Sequence, residues 1–252
     1  MKKTFCSIVT GLLGLGLLNA TAQFSGRPSS GPSFGDATAK LFGEHQSFSA
    51  TMELESGTPG SAQAMTMPCK ISFDNGKSCL EMNMGEMKGG GMPPEAAMQM
   101  KSMGMDKMVS ISRPDKKTMY LVYPGMQGYV ENPLKDQAEV TSPDDFKVET
   151  TELAKENVEG HDCVKNKVVV TDKNGKITES TVWNAKDLRK FPVKIETTEQ
   201  GQKAIMHFKE VSFTKPAASV FEVPAGMTKH ASMQAMMQEV MMKKMGGLMP
   251  PR

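Results

Sequence analysis

Short strand-like runs separated by tight turn signals fill most of this sequence. The segment Asp74-Asn75-Gly76-Lys77 lies between two such runs, and an Asn-Gly pair in this position predicts a two-residue hairpin turn. Such a turn fixes the register of its strands, so we expect Cys69 to lie opposite Met82. A second hairpin turn is predicted within Asp172–Lys176. The chain is therefore expected to be mainly β and antiparallel.

The remaining runs extend this pattern along the chain. Val193, Ile195 and Thr197 alternate with polar residues, which predicts a strand with one buried face. The apolar parity of Lys203–Phe213 changes near Lys209-Glu210, which predicts a β-bulge. We expect one strongly curved antiparallel sheet or open barrel. Further strands are predicted over 48–55, 64–73, 77–84, 109–113, 118–123, 127–131, 148–156, 163–171 and 177–183.

The chain after residue 22 contains three cysteines, Cys69, Cys79 and Cys163. With Cys69 opposite Met82, Cys69 and Cys79 are offset by three rungs, about 10 Å at ~3.3 Å per residue. This exceeds the limit of about 7 Å between the Cα atoms of a disulfide. A bridge would instead join Cys163 to one of the others, and simple buried thiols are an equal alternative.

Two methionine-rich segments interrupt the strand pattern. Within residues 82–108, Pro94 in the first turn and Gly104 after the last turn predict a short helix ending near Met103. Residues 231–252 form a tail that carries a stripe with helical spacing. The stripe consists of Met233, Met236, Met237, Val240 and Met241.

The first 22 residues have the order of a secretory signal peptide. A cationic start, an apolar run over 8–18 and the small residues of Asn19-Ala20-Thr21-Ala22 follow one another. The apolar run is shorter than the roughly 20 residues that a membrane span needs. We expect cleavage near Ala22, a periplasmic or secreted protein, and no transmembrane anchor after cleavage.

The rest of the chain is divided by composition. Residues 23–45 are expected to be a disordered Ser/Gly/Pro-rich lead-in. Residues 46–230 are expected to form a single β-rich domain that includes the insertion 82–108, followed by the tail. The formal net charge is +2, and Lys2 and Lys3 of the signal account for it. A neutral mature chain has no field to attract nucleic acid.

Four short motifs occur in order in the second half. They are Gly160-x-x-Cys163, Val182-Trp183-Asn184-Ala185-Lys186-Asp187-Leu188, Phe191-Pro192-Val193-Lys194 and Val220-Phe221-Glu222-Val223-Pro224-Ala225-Gly226. Their succession resembles that of DUF4412, a bacterial domain-of-unknown-function family whose members are similar to LolA-type periplasmic lipoprotein carriers. The resemblance is clearest over residues 145–230. It implies a half-barrel with a helix or loop against its concave face, and an exported location.

The aromatic residues and prolines in these motifs have structural explanations. An aromatic side chain at a strand end, such as Trp183, is usually part of the core. Pro192 stands at the start of a strand, where its missing N–H costs least. Phe221 is expected to be buried beside the sheet before Pro224 turns the chain.

No arrangement of residues in the sequence indicates catalysis. The histidines His45, His161, His207 and His230 are scattered, and no motif combines a nucleophile with a base and an orienting group. We therefore expect a protein that is not an enzyme and has no cofactor.

The methionines give three hypotheses for function. Flexible thioether side chains form adaptable apolar surfaces, so the first is binding of a lipid, an acyl chain, or a lipidated or unfolded protein. Its candidate residues are Met98, Met100, Met103, Met233, Met237 and Met241. The second is Cu(I) binding, since copper(I) prefers soft sulfur ligands. Its candidate residues are Met82, Met84, Met87, Met98, Met100, Met103 and Met105. The third is a ligand-free scaffold for protein partners.

Overall fold

The structure, a computed structural model, describes residues 39–57, 64–90, 93–134, 146–199 and 202–246. In these residues thirteen strands form one curved antiparallel sheet that does not close. This confirms the mainly β half-barrel. The predicted signal peptide and residues 23–38 of the lead-in lie outside the described residues. The strands β1 to β13 are Ser47–Ser56, Met65–Asp74, Lys77–Asn83, Lys88–Gly89, Lys107–Arg113, Thr118–Tyr123, Gly128–Pro133, Phe146–Val158, His161–Asp172, Ile177–Ala185, Phe191–Glu199, Gln202–Ser212 and Thr228–His230.

The strand order joins the two halves of the chain in one sheet. It runs β13-β7-β6-β5-β3-β2-β1-β12-β11-β10-β9-β8, and the short β4 pairs with β2. Most neighbours are connected by hairpins, whereas β1 and β12 pair although they are far apart in sequence. The last strand, β13, lies parallel to β7.

The first predicted hairpin is confirmed in its register. Asn75 and Gly76 have φ angles of 49° and 83°, the left-handed conformation that a type I′ turn requires at both central positions. Cys69 lies opposite Met82, as expected from this turn. The β9–β10 turn is also confirmed, with Thr171 opposite Ile177.

The predicted bulge lies in β12. Ser49 of β1 faces Ser212, but Thr51 faces Lys209, so β12 has one extra residue in between. Glu210, which lies in the bulge, has a left-handed backbone conformation with a φ angle of 52°. The bulge restores the apolar residues after it to the face of the sheet that carries the core, where Phe213 packs.

The inner face of the sheet, defined as the face carrying Phe48, Ala50 and Met52 of β1, holds the largest core cluster. The side chain of Phe42 is 1% exposed, and its ring centroid lies 4.7 Å from that of Phe48 and 5.5 Å from that of Phe208. The prediction of a disordered lead-in reaching residue 45 is therefore wrong for residues 39–45. The apolar side chains after the Ser/Gly/Pro-rich part gain more from burial than the segment loses by ordering.

On the opposite, outer face, the segment around Phe221 covers β3, β5 and β6. Phe221 packs with Cys79, Ile111 and Val122. Arg113 holds this segment in place by donating a hydrogen bond of 3.1 Å to the carbonyl oxygen of Phe221 and by pairing with Glu222. Within this segment Phe221 is buried against the outer face of the sheet.

Two helices accompany the sheet. Helix α1 spans Pro94–Met103 and ends at Gly104, which confirms both predicted limits. Helix α2 spans Met233–Gly246, and the hydroxyl of Ser232 accepts a hydrogen bond from the N–H of Ala235 at its start. Neither of these described helices is long and apolar enough to cross a lipid bilayer.

The end of α1 lies against the turn between β6 and β7. Gly104 has a φ angle of 75°, and a Cβ atom placed on it would lie 2.5 Å from the carbonyl group of Gly125. Gly175, in the β9–β10 turn, has a similar φ angle of 78° but open space around the Cβ position. Comparing the same substitution at these two glycines therefore distinguishes the cost of backbone strain from the cost of steric crowding.

We expect Gly104→Ala to destabilise the protein more than Gly175→Ala. Both substitutions place an alanine in the left-handed region, at a cost of about 1–2 kcal/mol. Only Gly104→Ala also forces two segments apart, which adds about 1–3 kcal/mol. Denaturant unfolding of the two variants measures the difference. Equal losses would show that α1 does not pack closely against this turn.

Candidate functional site

The side chains of the inner face change in character along the strands. Opposed pairs on β1 and β2 are aromatic at one end and rich in sulfur at the other. Since side chains alternate along a strand, all of these residues share the inner face. From the aromatic end onward the pairs are Phe48 and Phe73, Ala50 and Ile71, Met52 and Cys69, and Leu54 and Met67.

The sulfur-rich part, which we call the methionine end, is a single packed cluster. Its members come from five neighbouring strands of the sheet, β12, β1, β2, β3 and β5, and from the turn after β3. They are the buried Met52, Met67, Cys69, Met82 and Met206 and the partly buried Met84, Met87 and Met108. None of these side chains carries a charge, so the methionine end is an apolar environment.

Four of these residues form one row across the sheet. Met52 lies opposite Cys69, Cys69 opposite Met82, and Met82 opposite Met108. The first three side chains are 3%, 5% and 2% exposed. Met108, the fourth, is only partly buried and gives this row its most accessible side chain.

Helix α2 covers the part of the inner face that lies beyond this row. Met236 is buried against Tyr123 and Val130 on β6 and β7. A Cβ atom on Gly128 would lie 2.6 Å from the Sδ atom of Met236, so only glycine allows this approach. Helix α2 therefore packs on the sheet through Met236, with Met233 and Val240 partly buried beside it.

Helix α1 is packed much more loosely. None of its residues is buried, and it contacts the short turn Met84–Glu86 that follows β3. Two partly buried members of the methionine end, Met84 and Met87, lie in or directly after this turn. Helix α1 is thus a weakly held cover at the rim of the methionine end.

The predicted apolar-ligand residues are placed in several environments. Met98 is 67% exposed, while Met100 and Met103 are half-buried. On α2, Met233 and Met237 are half-buried and Met241 is exposed. Met103 lines a cleft of about 660 Å³ together with Val240 of α2. The structure therefore brings α1 and α2 to one cleft without gathering all six methionines there.

The two methionine runs considered for copper are also separated. Met82, Met84 and Met87 belong to the inner core, whereas Met105 packs beside Met236. Sequence reasoning missed Met52, Met67 and Met206, because their neighbours depend on pairing between strands that no single hairpin joins. The only signal available was the predicted position of Cys69 opposite Met82.

The residues expected to be structural are in the following positions. Trp183 is buried and donates a hydrogen bond of 2.9 Å to a carboxylate oxygen of Glu156. Pro192 is buried opposite Asn184, next to an irregularity in the pairing of β10 and β11. Pro224 is exposed in the segment after Phe221.

The three described cysteines are free and buried. Of the two alternatives from the sequence, the structure thus shows buried thiols. Burial raises the pKa of Cys69 and that of Cys79 to about 12, and burial also raises the pKa of Cys163. Thiols with raised pKa values in apolar surroundings are poor nucleophiles.

A cleft of about 580 Å³ crosses the same strands as the sulfur row. Besides Met52, Cys69 and Met82, it is lined by the residues that flank them along each strand, including Lys70 and Glu81. The flanking residues point away from the inner face because side chains alternate. The lining of this cleft therefore carries charges of both signs, unlike the methionine end.

Two of the histidines in the described part of the chain pair with carboxylates. His161 bonds Asp187 at 2.7 Å and His207 bonds Glu159 at 3.0 Å, at separate exposed positions. Among the described residues, no group of three or more His, Cys, Asp or Glu side chains could hold a metal ion. The expectation of a non-enzymatic protein stays a prediction.

Comparison with known proteins gives a family and a set of distant structures. The model of the family described as "Domain of unknown function (DUF4412)" matches residues 64–191. The match thus begins earlier and ends sooner than the resemblance inferred from the motifs. No curated protein matches the sequence.

Several solved structures are distantly similar to this chain. A LolA superfamily protein, NE2245 from Nitrosomonas europaea, has 9% identity and a TM-score of 0.36, covering 74% of this chain and 94% of its own. The Mycobacterium tuberculosis lipoprotein LppX has 11% identity and a TM-score of 0.38, with 72% and 91% covered. LprF from Mycobacterium bovis has 13% identity and a TM-score of 0.36, with 72% and 93% covered.

Proposed function

The chain belongs to the DUF4412 family, a family of domains of unknown function, and from this premise we propose that it binds an apolar chain, such as the acyl chain of a lipid, at the methionine end. The observation that carries the proposal is the uncharged, sulfur-lined end of the inner face. The binding is non-enzymatic, with the ligand held by apolar contact alone.

Methionine is the side chain best suited to such a site. Its unbranched thioether rotates easily and fills irregular space. The buried methionines fill the methionine end themselves, so an acyl chain has to enter by displacing them. Flexible side chains allow this displacement at lower cost than the aromatic residues around Phe42 would. The ligand therefore enters at the sulfur-rich end of the inner face and not at the aromatic end.

Helix α1 is placed to control this entry. It contacts the turn Met84–Glu86 at the rim, and no residue of it is buried. Moving α1 therefore exposes little additional apolar surface, while Gly104 keeps the end of the helix against Gly125. The helix acts as a cover hinged at its C-terminal end.

The protein would encounter this ligand in the cell envelope. This part of the proposal rests on the signal peptide predicted over residues 1–22, together with the resemblance of the motifs to those of exported proteins. A lipid or a lipidated protein is an apolar partner available in that compartment.

We expect Met84→Glu combined with Met87→Glu to reduce binding of an acyl chain at least tenfold. Both side chains lie at the partly buried rim of the methionine end, and a carboxylate there would have to be desolvated by an entering chain. Displacement of a fluorescent fatty acid from the full mature chain measures the affinity. Mass spectrometry of an organic extract of the purified protein identifies any lipid that it carries.

Met98→Glu is the matched control for this experiment. Met98 has the same side chain but is largely exposed on α1, so its replacement should leave the affinity unchanged. The proposal is wrong if the unaltered protein does not bind the fatty acid and its extract contains no lipid. It is also wrong if the rim variant, shown to be folded, binds as tightly as the control.

A further inference from the structure

The sulfur row on the inner face has a feature that apolar packing does not require. Three consecutive central strands place Met52, Cys69 and Met82 directly opposite one another, on one face and all buried. We propose that these three residues form a binding site for a single Cu(I) ion, with the Cys69 thiolate flanked by two thioethers. The inference goes beyond the apolar-ligand proposal and does not depend on it.

The spacing of the row suits one bridging ion. Side chains directly opposite on neighbouring strands have Cβ atoms about 4.5–5.5 Å apart. A metal–thiolate bond is about 2.3 Å long, so an ion between two sulfurs spans up to about 4.6 Å. The Cys69 side chain is short and central, while the flanking methionines are long enough to lean towards it. An ion above Cys69 is therefore within reach of all three sulfurs.

Charge balance selects a monovalent soft ion. When Cu(I) binds, the Cys69 thiol releases its proton to solvent, and the cation and the thiolate together are neutral. A neutral complex can be buried among apolar side chains, whereas a divalent ion would leave a net positive charge there. Thiolate and thioether ligands favour Cu(I) over harder ions.

The row also offers a path from solvent to the buried site. Met108 lies opposite Met82 and is only partly buried. Met84 and Met87, at the rim, are likewise partly buried. These thioethers could pass an ion inward from one sulfur to the next. This path differs from a site formed by Met98, Met100 and Met103 of α1.

Cys79 provides an internal control. It is also a buried free thiol, and its neighbours on the adjacent strands are Ser72 and Ile111. No methionine faces Cys79 from these two positions. A buried thiol by itself is thus present at both cysteines, and the flanking thioethers distinguish Cys69.

The test is an anaerobic titration of the full mature chain with Cu(I) against a chromogenic Cu(I) chelator. We expect one ion per chain to be retained, with a thiolate-to-copper absorption band and release of one proton. Cys69→Ser should weaken binding more than about 100-fold, since losing even an outer-shell partner of a metal site costs about 10–100-fold. Cys79→Ser should leave the affinity unchanged.

A second variant keeps the test decisive if Cys69→Ser does not fold. Met52→Leu with Met82→Leu preserves apolar volume, at an expected cost in stability below about 1.5 kcal/mol for each change, and should weaken Cu(I) binding at least tenfold. Replacing Met98, Met100 and Met103 of α1 by leucine should have no effect on Cu(I) binding.

Two results would overturn the proposal. One is that the unaltered and the Cys69→Ser chains bind Cu(I) equally well. The other is that binding is lost only when the methionines of α1 are replaced.

Discussion

Replacing Phe42 with alanine is expected to lower the free energy of unfolding by about 3–5 kcal/mol, the cost of deleting a buried aromatic side chain. The Phe42 ring lies at the centre of the aromatic end of the inner face, with its centroid 5.7 Å from that of Phe191 and 6.3 Å from that of Phe73. The neighbouring rings belong to four adjacent, hydrogen-bonded strands of the sheet, β2, β1, β12 and β11, so they cannot all move to fill the space. The loss is a large part of the stability of a typical domain, about 5–15 kcal/mol.

Urea unfolding followed by tryptophan fluorescence measures this loss, because Trp183 is the only tryptophan in the chain. Phe213→Ala is the comparison: Phe213 also contacts Phe191, at 5.8 Å between ring centroids, but is only half-buried. We expect a clearly smaller effect from Phe213→Ala. If Phe42→Ala is no more harmful than Phe213→Ala, the segment 39–44 is not part of the core in solution.

Replacing Met236 with lysine is expected to release α2 from the sheet. The Met236 side chain is fully buried, and its burial contributes about 1.5–3 kcal/mol. A lysine there would place an ammonium group in the apolar cluster that Met236 forms with Tyr123 and Val130, where its desolvation is costly. A helix of this length is marginal by itself, so α2 should unfold once its contact with the sheet is lost.

Hydrogen exchange over residues 231–246 measures the release, and binding of a hydrophobic dye measures the surface that α2 leaves behind. Met242→Lys is the matched control because Met242 lies on the same helix and is 66% exposed. We expect this variant to keep the exchange pattern of the unaltered protein. Fast exchange in the unaltered chain would contradict the docking of α2.

These predictions share a property of the inner face that was not expected from the sequence. The resemblance of the motifs implied a half-barrel with a helix or loop against its concave face. In the structure, Phe42 fills the aromatic end and methionines from the strands themselves fill the other end. Helix α2 closes only the region near β7, and α1 remains at the rim. An acyl ligand therefore has to compete with methionine side chains that already occupy its site.

Local features of the sequence determined the hairpins of this protein. The Asn75-Gly76 turn fixed the position of Cys69 opposite Met82, and the parity change near Lys209 fixed the bulge in β12, since each depends on residues only a few positions apart. The limits of α1 followed in the same way from Pro94 and Gly104. The order of the motifs in the second half was enough to indicate the family.

Only the tertiary structure decided which hairpins lie side by side. Met52 faces Cys69 because β1 pairs with β2 across residues 57–64, and Phe208 faces Met52 because β12 returns from the far end of the chain. No turn links β1 to β12 directly, so their pairing depends on the total burial that the whole sheet achieves. The same is true of Phe42, whose place in the core is given by rings from four separate strands. Neighbours along a strand can be inferred from alternation, but neighbours across the sheet depend on the packing of the complete domain.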